Sequence, residues 1–186
     1  MEEFMRVIVP LAEGFEEIEA VTIIDVLRRA GIEVTTVYLK KNPITGSHAI
    51  TILADKNIDE ISAAEFVCIA LPGGMPGSEN LKEDSRVIAL IRELNSKNKI
   101  IAAVCAAPIV LSHAGILAGK RATCFPGYES YLTGVTISPG PVVRDGKVIT
   151  GKGPGCALPF ALELVEAFSG KEAVAKLRDT MQIYGM

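Results

Sequence analysis

The sequence predicts an α/β fold in which helices cover both faces of a doubly wound, mostly parallel sheet that ends in a β-hairpin. Short runs rich in β-branched residues alternate with amphipathic segments along the chain, as in parallel sheets. Residues 66–71 are apolar throughout, which is expected of a strand covered on both faces. The length of 186 residues fits one domain of roughly 100–200 residues, so we expect residues 1–186 to form a single domain.

The first half of the chain is expected to form four strands and two helices. Residues 5–9 are mostly β-branched and indicate a buried strand. Residues 15–30 indicate a helix, because apolar residues recur near helical spacing and Gly31 follows as a stop. The expected apolar face of this helix consists of Ile18, Val21, Ile24 and Leu27. The remaining predicted elements are strands at 33–38, 49–53 and 66–71 and a helix at 85–97.

The second half begins with a buried strand at 100–104, which leads directly into Cys105 and an apolar helix through Leu111. Asp145 and Gly146 lie between β-type flanks and predict a hairpin. The remaining predicted elements are a short strand at 121–123, the hairpin at 142–150, and helices at 157–168 and 172–181. Ligands of doubly wound sheets bind beyond the carboxyl ends of the strands. The loops after the first strand, the strand at 66–71 and the strand at 100–104 therefore form the candidate site.

Composition excludes several classes of protein. The net charge is −3 and the basic residues are scattered, whereas a nucleic-acid surface needs a basic patch. No apolar run approaches the ~20 residues that span a bilayer, and the N-terminus lacks the pattern of a secretion signal. We therefore expect no membrane partner and a cytoplasmic location. The four cysteines form no Cys-x-x-Cys pair, and the two histidines have no metal-ligand spacing, so we predict no metal and no cofactor.

Cys105 is the leading candidate for a reactive group. The chain passes from a buried strand into a helix at this residue, and Pro108 suits a first helical turn. The field of a helix N-terminus favours a thiolate, so we expect the pKa of Cys105 to be lowered from about 8.5. The corner resembles the nucleophile elbow of hydrolases. The alternative is a buried cysteine that packs as a small apolar residue.

Two neighbouring loops supply groups for chemistry at this cysteine. Backbone N–H groups of Gly73 and Gly74, with that of Ala106, could hold an oxyanion, although a loop that merely needs positive φ is the alternative. Glu19 borders the expected apolar face of the first helix, and burial raises the pKa of such a carboxyl. A protonated Glu19 could donate a hydrogen bond to a thiolate, and an ionised one could act as a general base.

Four segments of the chain resemble the ThiJ/PfpI superfamily, most closely its parkinsonism-associated deglycase branch, the DJ-one family. They are residues 12–19 (AEGFEEIE), 71–74 (LPGG), 102–108 (AAVCAAP) and 153–155 (GPG). The resemblance implies a flavodoxin-like fold of the class I glutamine amidotransferase type and a homodimer. It also implies Cys105 as nucleophile, Glu19 as its partner, and an oxyanion site formed by the N–H groups of Gly74 and Ala106.

The activities attributed to this family include glutathione-independent conversion of methylglyoxal to lactate, repair of early glycation products, stress sensing and chaperone action. The resemblance therefore implies a cysteine-dependent enzyme of the glyoxalase or deglycase type, whose partner is a small aldehyde or a glycated substrate. The alternative is a redox-sensing stress protein or chaperone that works through oxidation of Cys105. Peptidase-like relatives place a histidine where Ala106 stands, so a peptidase or amidotransferase-like hydrolase is the weakest alternative.

Three further residues are possible pocket or redox groups. Many relatives place a histidine near the nucleophile at the position that Phe125 occupies here, so a local Cys-His dyad is not expected. Cys124 could condense with an oxidised Cys105 if the two sulfurs are close, and the alternative is a packed cysteine. His48 stands where relatives often carry arginine, and it could touch an anionic substrate or simply be an exposed loop histidine.

Overall fold

The computed structural model describes residues 5–185. Its helices are α1 (Glu17–Arg29), α2 (Gly77–Glu83), α3 (Ser85–Ser96), α4 (Pro108–His113) and α5 (Ala157–Thr180). Its strands are β1 (Arg6–Leu11), β2 (Glu33–Tyr38), β3 (Ile44–Thr45), β4 (Thr51–Ile52), β5 (Lys56–Asn57), β6 (Cys68–Leu71), β7 (Ile100–Val104), β8 (Arg121–Ala122), β9 (Thr136–Ile137), β10 (Val142–Asp145) and β11 (Val148–Gly151). Strands and helices alternate, so the α/β prediction is confirmed.

The central sheet has seven strands in the order β10-β11-β7-β6-β1-β2-β5. Neighbouring strands are parallel, except that β10 and β11 form the predicted antiparallel hairpin. The chain builds β2 and β5 on one side of β1 and then crosses to β6 on the other side. The strand order therefore reverses between β1 and β6, where sheets of this kind have a crevice at their carboxyl edge.

Helices cover both faces of this sheet, as predicted. Val7 and Val9 face a core cluster that includes residues of α1 and α5, whereas Ile8 between them faces a second cluster with residues of α3 and α4. This alternation follows from the two-residue period of a strand. No helix within residues 5–185 combines the length and the apolar character that crossing a membrane requires.

The predicted apolar face of α1 is wrong at its N-terminal end, although Leu27 is buried as expected. Ile18 is 58% exposed and Val21 is 49% exposed. The helix instead buries a second stripe, which consists of Glu17, Glu19, Ala20, Ile23, Val26 and Leu27. Both stripes have helical spacing, and the sheet covers the one that carries two carboxyls. As a result, Glu19 lies within the buried face of α1 rather than at its border.

Several shorter elements also differ from the prediction. The strand expected at 49–53 is reduced to β4, which pairs with β3 outside the main sheet. Leu53 is 72% exposed there, so this segment cannot form a buried strand, and the edge of the sheet is β5 instead. The helices expected at 157–168 and 172–181 are joined in α5, but Gly170 interrupts it with φ 78° and ψ 177°.

Candidate active site

The three candidate loops meet at the carboxyl edge of the sheet. β6 and β7 are paired up to Leu71 and Ala103, and β7 and β11 are paired up to Val104 and Gly151. The loops that leave β6 and β7 therefore start side by side. The loop after β1 joins them, because the N–H of Glu16 donates a 2.9 Å hydrogen bond to the carbonyl of Gly73.

Cys105 occupies a sharp corner between β7 and the turn that precedes α4. Its φ is 64°, in the left-handed region that L-residues rarely adopt. The Cys105 N–H donates to the carbonyl of Gly151 at 2.9 Å, and the Cys105 carbonyl accepts from the N–H of Phe125 at 2.8 Å. A left-handed non-glycine residue costs about 1–3 kcal/mol and persists only where its surroundings hold it. These two hydrogen bonds hold the corner in place.

Glu19 is a completely buried carboxyl at this corner. Its Oε2 accepts a 2.7 Å hydrogen bond from the N–H of Gly73, and its Oε1 has no partner with hydrogen-bond geometry in residues 5–185. Burial raises the pKa of Glu19 from 4.5 to about 7, although hydrogen bonds from Gly73 and the Cys105 thiol oppose this effect. The carboxyl therefore changes its charge near neutral pH.

Gly73 lies between the thiol and the carboxyl. A Cβ on Gly73 would lie 2.6 Å from the Cβ of Cys105 and 2.8 Å from Oε2 of Glu19. Only a residue without a side chain permits this approach. The Gly73 N–H was expected to be an oxyanion donor, but it binds Oε2 of Glu19. The tandem glycines were the sequence signal for this close contact. At Gly73 the important property is the absence of a side chain, whereas the prediction relied on the freedom of the glycine backbone.

The expected lowering of the Cys105 pKa is wrong. Burial, and to a smaller extent the charge of Glu19, raise the pKa of the Cys105 thiol from 9.0 to about 12, although backbone N–H groups of Gly74 and Ala106 oppose this effect. The helix that was expected to stabilise the thiolate is only the six-residue α4, which begins at Pro108. The field of such a short helix does not outweigh burial and a neighbouring carboxylate. A negative charge on the Glu19 carboxyl thus disfavours a second negative charge on the Cys105 thiol.

The backbone N–H groups of Gly74 and Ala106 lower the pKa of the Cys105 thiol. Gly74 adopts φ 87°, and a Cβ there would lie 2.4 Å from the backbone nitrogen of Glu16. Its glycine identity is therefore required both by the backbone conformation and by the packing of the loop after β1. Two backbone N–H groups and one buried carboxyl thus influence the pKa of a single thiol.

His48 is an exposed loop residue in contact with Glu17. Its side chain is 68% exposed, and its Nδ1 lies 3.0 Å from Oε2 of Glu17 and 3.5 Å from Oε2 of Glu16. The hydrogen bond to Glu17 raises the pKa of His48. These three side chains form the one group of metal-ligand type found in residues 5–185. The backbone N–H groups of His48 and Ile50 also donate hydrogen bonds to Glu17. The cluster therefore anchors this loop to α1.

Cys124 and Phe125 are adjacent in sequence but differ in environment. Cys124 is buried in the core cluster on the α3 and α4 side of the sheet, whereas Cys105 belongs to the cluster on the α1 side. Burial raises the pKa of Cys124 to about 11. Phe125 is 41% exposed, and its ring carbon lies 3.1 Å from where a Cβ of Gly153 would stand. The backbone of Phe125 contacts Cys105 through the hydrogen bond from its N–H, whereas the Cys124 side chain packs in the other core cluster.

Comparison with known proteins identifies the family. The model of the DJ-1/PfpI family matches residues 5–167. Protein dj-1beta of Drosophila melanogaster is 39% identical over 173 residues, which cover 91% of this chain and 92% of that protein. Its crystal structure superposes with a TM-score of 0.93 and covers 97% of this chain and 99% of that chain at 37% identity.

Two further relatives extend the comparison. The structure of oxidized Toxoplasma gondii DJ-1 has a TM-score of 0.93 and 36% identity, and covers 97% of this chain and 100% of that chain. Protein DJ-1 homolog B of Arabidopsis thaliana is 36% identical over 175 residues, but those residues span only 40% of its length against 92% of this chain. The resemblance expected from the four sequence segments is therefore confirmed, and this chain belongs to the DJ-1/PfpI family.

Proposed function

We propose that this chain is a cysteine-dependent enzyme that converts reactive dicarbonyls, or removes early glycation adducts, with Cys105 as nucleophile and Glu19 as proton carrier. The observation that supports this proposal best is the buried Glu19 carboxyl, whose pKa is raised to about 7. A general base is most effective when its pKa lies near the working pH. A thiol whose own pKa is raised needs such a base, because little thiolate forms without one.

The proposed reaction starts when the Cys105 sulfur attacks the aldehyde carbon of methylglyoxal while Glu19 takes the thiol proton. The carbonyl oxygen becomes an oxyanion beside the N–H groups of Gly74 and Ala106, which then stabilise it. Protonation of that oxygen gives a hemithioacetal. Both N–H groups lower the pKa of the Cys105 thiol, which supports their assignment to the oxyanion site.

Glu19 then moves a proton between the two substrate carbons. It removes the proton from the former aldehyde carbon while the ketone oxygen gains a proton, which gives an enediol. It then returns a proton to the neighbouring carbon while the hydroxyl group on the former aldehyde carbon loses its proton and becomes the thioester carbonyl. The product is a lactoyl thioester of Cys105, which water hydrolyses to lactate and the free thiol. Methylglyoxal and water are thus consumed to give lactate, with no net oxidation. The proposed chemistry uses no metal and no organic cofactor.

Lactate formation from methylglyoxal tests the proposal. The assay omits glutathione and amine buffers and compares the unaltered protein with Cys105→Ala and Glu19→Gln. We expect steady turnover that Cys105→Ala abolishes and that Glu19→Gln lowers by at least 10²-fold, since general acid–base help is typically worth about 10²–10⁴-fold. Cys124→Ala serves as a matched control and should keep its activity. No turnover in the unaltered protein would refute the dicarbonyl proposal.

A second candidate function is redox sensing by Cys105. One solved relative is the oxidized form of Toxoplasma gondii DJ-1, and a sulfinate at Cys105 would accept hydrogen bonds from Gly74, Ala106 and a protonated Glu19. The raised pKa of the Cys105 thiol works against selective oxidation, because the thiolate is the form that reacts. Mass spectrometry after mild peroxide should therefore find Cys105 oxidised no faster than a free cysteine if catalysis is the main role.

The third candidate, a peptidase or amidotransferase-like hydrolase, lacks a histidine at the thiol. His48 is exposed and bound to Glu17, and His113 is exposed at the end of α4. Neither is among the main influences on the pKa of Cys105. We also propose a reducing, cytoplasmic location, because all four cysteines are free thiols and the proposed reaction needs Cys105 in its reduced form.

We also propose that the protein forms a homodimer through the exposed stripe of α1. The stripe contributes Ile18 and Val21, which are 58% and 49% exposed, to an apolar patch. Ile50 and Leu53, which flank β4, complete this patch and are 55% and 72% exposed. Val21 and Leu53 line one shallow groove with Ile24 and Ile52. An exposed apolar patch of this kind is typical of a protein–protein contact. The expectation of a homodimer from family resemblance supports the same assignment.

A further inference from the structure

A small cavity lies at the carboxyl edge of the sheet, beyond the ends of β1 and β2. These strands are paired up to Leu11 and Tyr38, so the segments that follow them leave the sheet side by side. Residues of both segments, of β3 and of α2 line the cavity, but neither Cys105 nor Glu19 is among them. The carboxyl edge is where sheets of this kind bind ligands, so the cavity is a second candidate site.

The inner wall of this cavity is apolar. It consists of Leu11, Ala12, Leu39 and Ile44, which are 0%, 4%, 7% and 1% exposed. Ala12 and Leu39 belong to the core cluster on the α3 and α4 side of the sheet, and the other two belong to the cluster on the α1 side. Packing in the core fixes all four side chains, so the wall is formed before any ligand arrives, which lowers the cost of binding.

Two lysines lie at the outer part of the cavity. Lys40 and Lys41 directly follow Leu39, line the cavity and are exposed. Within residues 5–185, neither lysine takes part in an ion pair or a side-chain hydrogen bond. Neither belongs to the apolar patch that is assigned to the dimer contact. Both positive charges are therefore available to a ligand, and the methylene stems of the two side chains extend the apolar wall.

Glu13 and Asn80 complete the lining. Oε2 of Glu13 accepts a 3.4 Å hydrogen bond from the N–H of Thr45. Nδ2 of Asn80 donates a 2.9 Å hydrogen bond to the carbonyl of Glu13, which ties α2 to the loop after β1. Two lysines and one glutamate give the lining a net charge of +1. This charge favours a ligand with a single negative charge.

The size of the cavity restricts the ligand further. Its volume is about 200 Å³, whereas pockets for drug-sized ligands measure roughly 300–1,000 Å³. A nucleotide or a long acyl chain is therefore too large. A suitable ligand is a small molecule that combines a charged group for the lysines with a compact hydrocarbon group for the inner wall.

We propose that this cavity binds a small monocarboxylate with a branched apolar group. Its carboxylate pairs with Lys40 and Lys41, and its hydrocarbon group packs against Ala12 and Leu39. A neutral apolar molecule leaves the lysines without a partner, and a purely polar anion leaves the inner wall without a contact. Binding does not depend on the chemistry proposed for Cys105, so either proposal can fail without the other.

Titrations followed by two-dimensional NMR measure this binding. The probes are isocaproate, the neutral isocaproamide, which has the same shape without the charge, and acetate, which has the charge without the branched hydrocarbon group. We expect isocaproate to bind at least threefold more tightly than isocaproamide and at least tenfold more tightly than acetate, because a buried methylene is worth about fourfold in affinity. The side-chain amide signal of Asn80 should shift during the titration.

Substitutions of the charged lining residues test the proposed contacts. Exposed ion pairs are individually weak, so Lys40→Gln and Lys41→Gln are combined. This double variant should bind isocaproate at least threefold more weakly and isocaproamide with an unchanged Kd. Glu13→Gln should bind isocaproate about twofold more tightly, since it removes a repulsive charge and keeps an oxygen for the N–H of Thr45. Lys171→Gln, which replaces an exposed lysine of α5, is the matched control and should bind as the unaltered protein does.

Cys105→Ala distinguishes this cavity from the candidate active site. The substitution should leave the Kd for isocaproate and the shift of the Asn80 signal unchanged. A Kd that changes in Cys105→Ala would place the ligand at the thiol and overturn the inference. Equal affinities for isocaproate and isocaproamide, or a preference for isocaproate that survives the double substitution of Lys40 and Lys41, would overturn it as well.

Discussion

The backbone N–H of Gly73 donates a 2.7 Å hydrogen bond to Oε2 of Glu19. The two residues are 54 positions apart in sequence, and the contact joins the loop after β6 to the buried face of α1. The same glycine touches the base of Cys105, since a Cβ there would be 2.6 Å from that of the cysteine. One residue without a side chain therefore sets the distance between the thiol and the carboxyl.

Gly73→Ala should disrupt the site. The added methyl would overlap Cys105, Glu19 and the carbonyl of Val104, all within 2.8 Å, so the loop must move away from the carboxyl. We expect a loss of about 1–3 kcal/mol in the free energy of unfolding, which is typical of overpacking, and a fall in lactate formation of at least tenfold. Urea denaturation and the methylglyoxal assay measure the two effects.

Gly155→Ala is the control for that substitution. No atom lies within 4 Å of a Cβ on Gly155, and its backbone is not left-handed, so stability and activity should stay close to those of the unaltered protein. Full activity in Gly73→Ala would show that the spacing of thiol and carboxyl does not matter.

The rate of the proposed reaction should rise with pH through about 7. Glu19 accepts the thiol proton only when it is ionised, and burial raises its pKa to about 7. We expect kcat/KM for methylglyoxal to increase about tenfold per pH unit below this value and to level off above it. Rates between pH 5.5 and 9 test this. A rate that falls with pH would identify protonated Glu19 as the active form, and a continued rise to pH 9 would identify ionisation of the thiol.

Glu19→Gln should stabilise the protein at high pH while it removes activity. The folded protein holds this proton up to about pH 7, whereas an ordinary carboxyl of the unfolded chain releases it near 4.5. Stability from this group is thus full below about pH 4.5 and is lost as the pH rises through about 7. The loss above pH 7 amounts to up to about 3 kcal/mol, at ~1.4 kcal/mol per pKa unit.

Urea denaturation at pH 5 and pH 8 measures that effect. The free energy of unfolding of Glu19→Gln minus that of the unaltered protein should be larger at pH 8 than at pH 5. Glu172→Gln, which replaces an exposed carboxyl of α5, should show no such change. Equal differences at both pH values would mean that Glu19 is ionised as readily in the folded as in the unfolded chain.

Leu53→Glu should weaken the proposed dimer. Leu53 is 72% exposed in the apolar patch of α1 and β4, and a charge buried between two copies without a partner is costly. Sedimentation equilibrium should find a dimer for the unaltered protein and a shift to monomer for Leu53→Glu. Tyr131→Glu changes a large side chain outside the patch that is 58% exposed, and it should leave the dimer intact. A monomeric unaltered protein would refute the assignment of the patch.

Local sequence patterns predicted most of the strands and the sharp corner at Cys105. The strands at 33–38 and 100–104 have the predicted bounds, because an apolar or β-branched run between turn residues leaves few alternatives. The left-handed φ of Cys105 agrees with the sharp turn expected there. The edge strand β5 and the helix α2 were not expected, because neither has a distinctive periodic pattern in so few residues.

The chemistry of the site could be predicted only in part. Helical spacing shows which residues share a face of α1, but it does not show whether the sheet covers the face with Ile18 or the face with Glu19. The pKa of Cys105 depends on burial and on a carboxyl from a distant segment, and a pattern of neighbouring residues contains neither. Family resemblance supplied the pairing of Cys105 with Glu19 that spacing alone left open.

The two faces of α1 also limit how this protein can be altered. Ile18 lies on the exposed stripe and Glu19, its neighbour in sequence, is completely buried beside the thiol. A substitution chosen to make the exposed stripe more hydrophilic, for example to improve yield on expression, therefore acts one peptide bond away from the proposed proton carrier. Solubility and turnover cannot be optimised separately on this helix, so polar substitutions for expression are better placed outside the apolar patch, for example at Tyr131, which is 58% exposed.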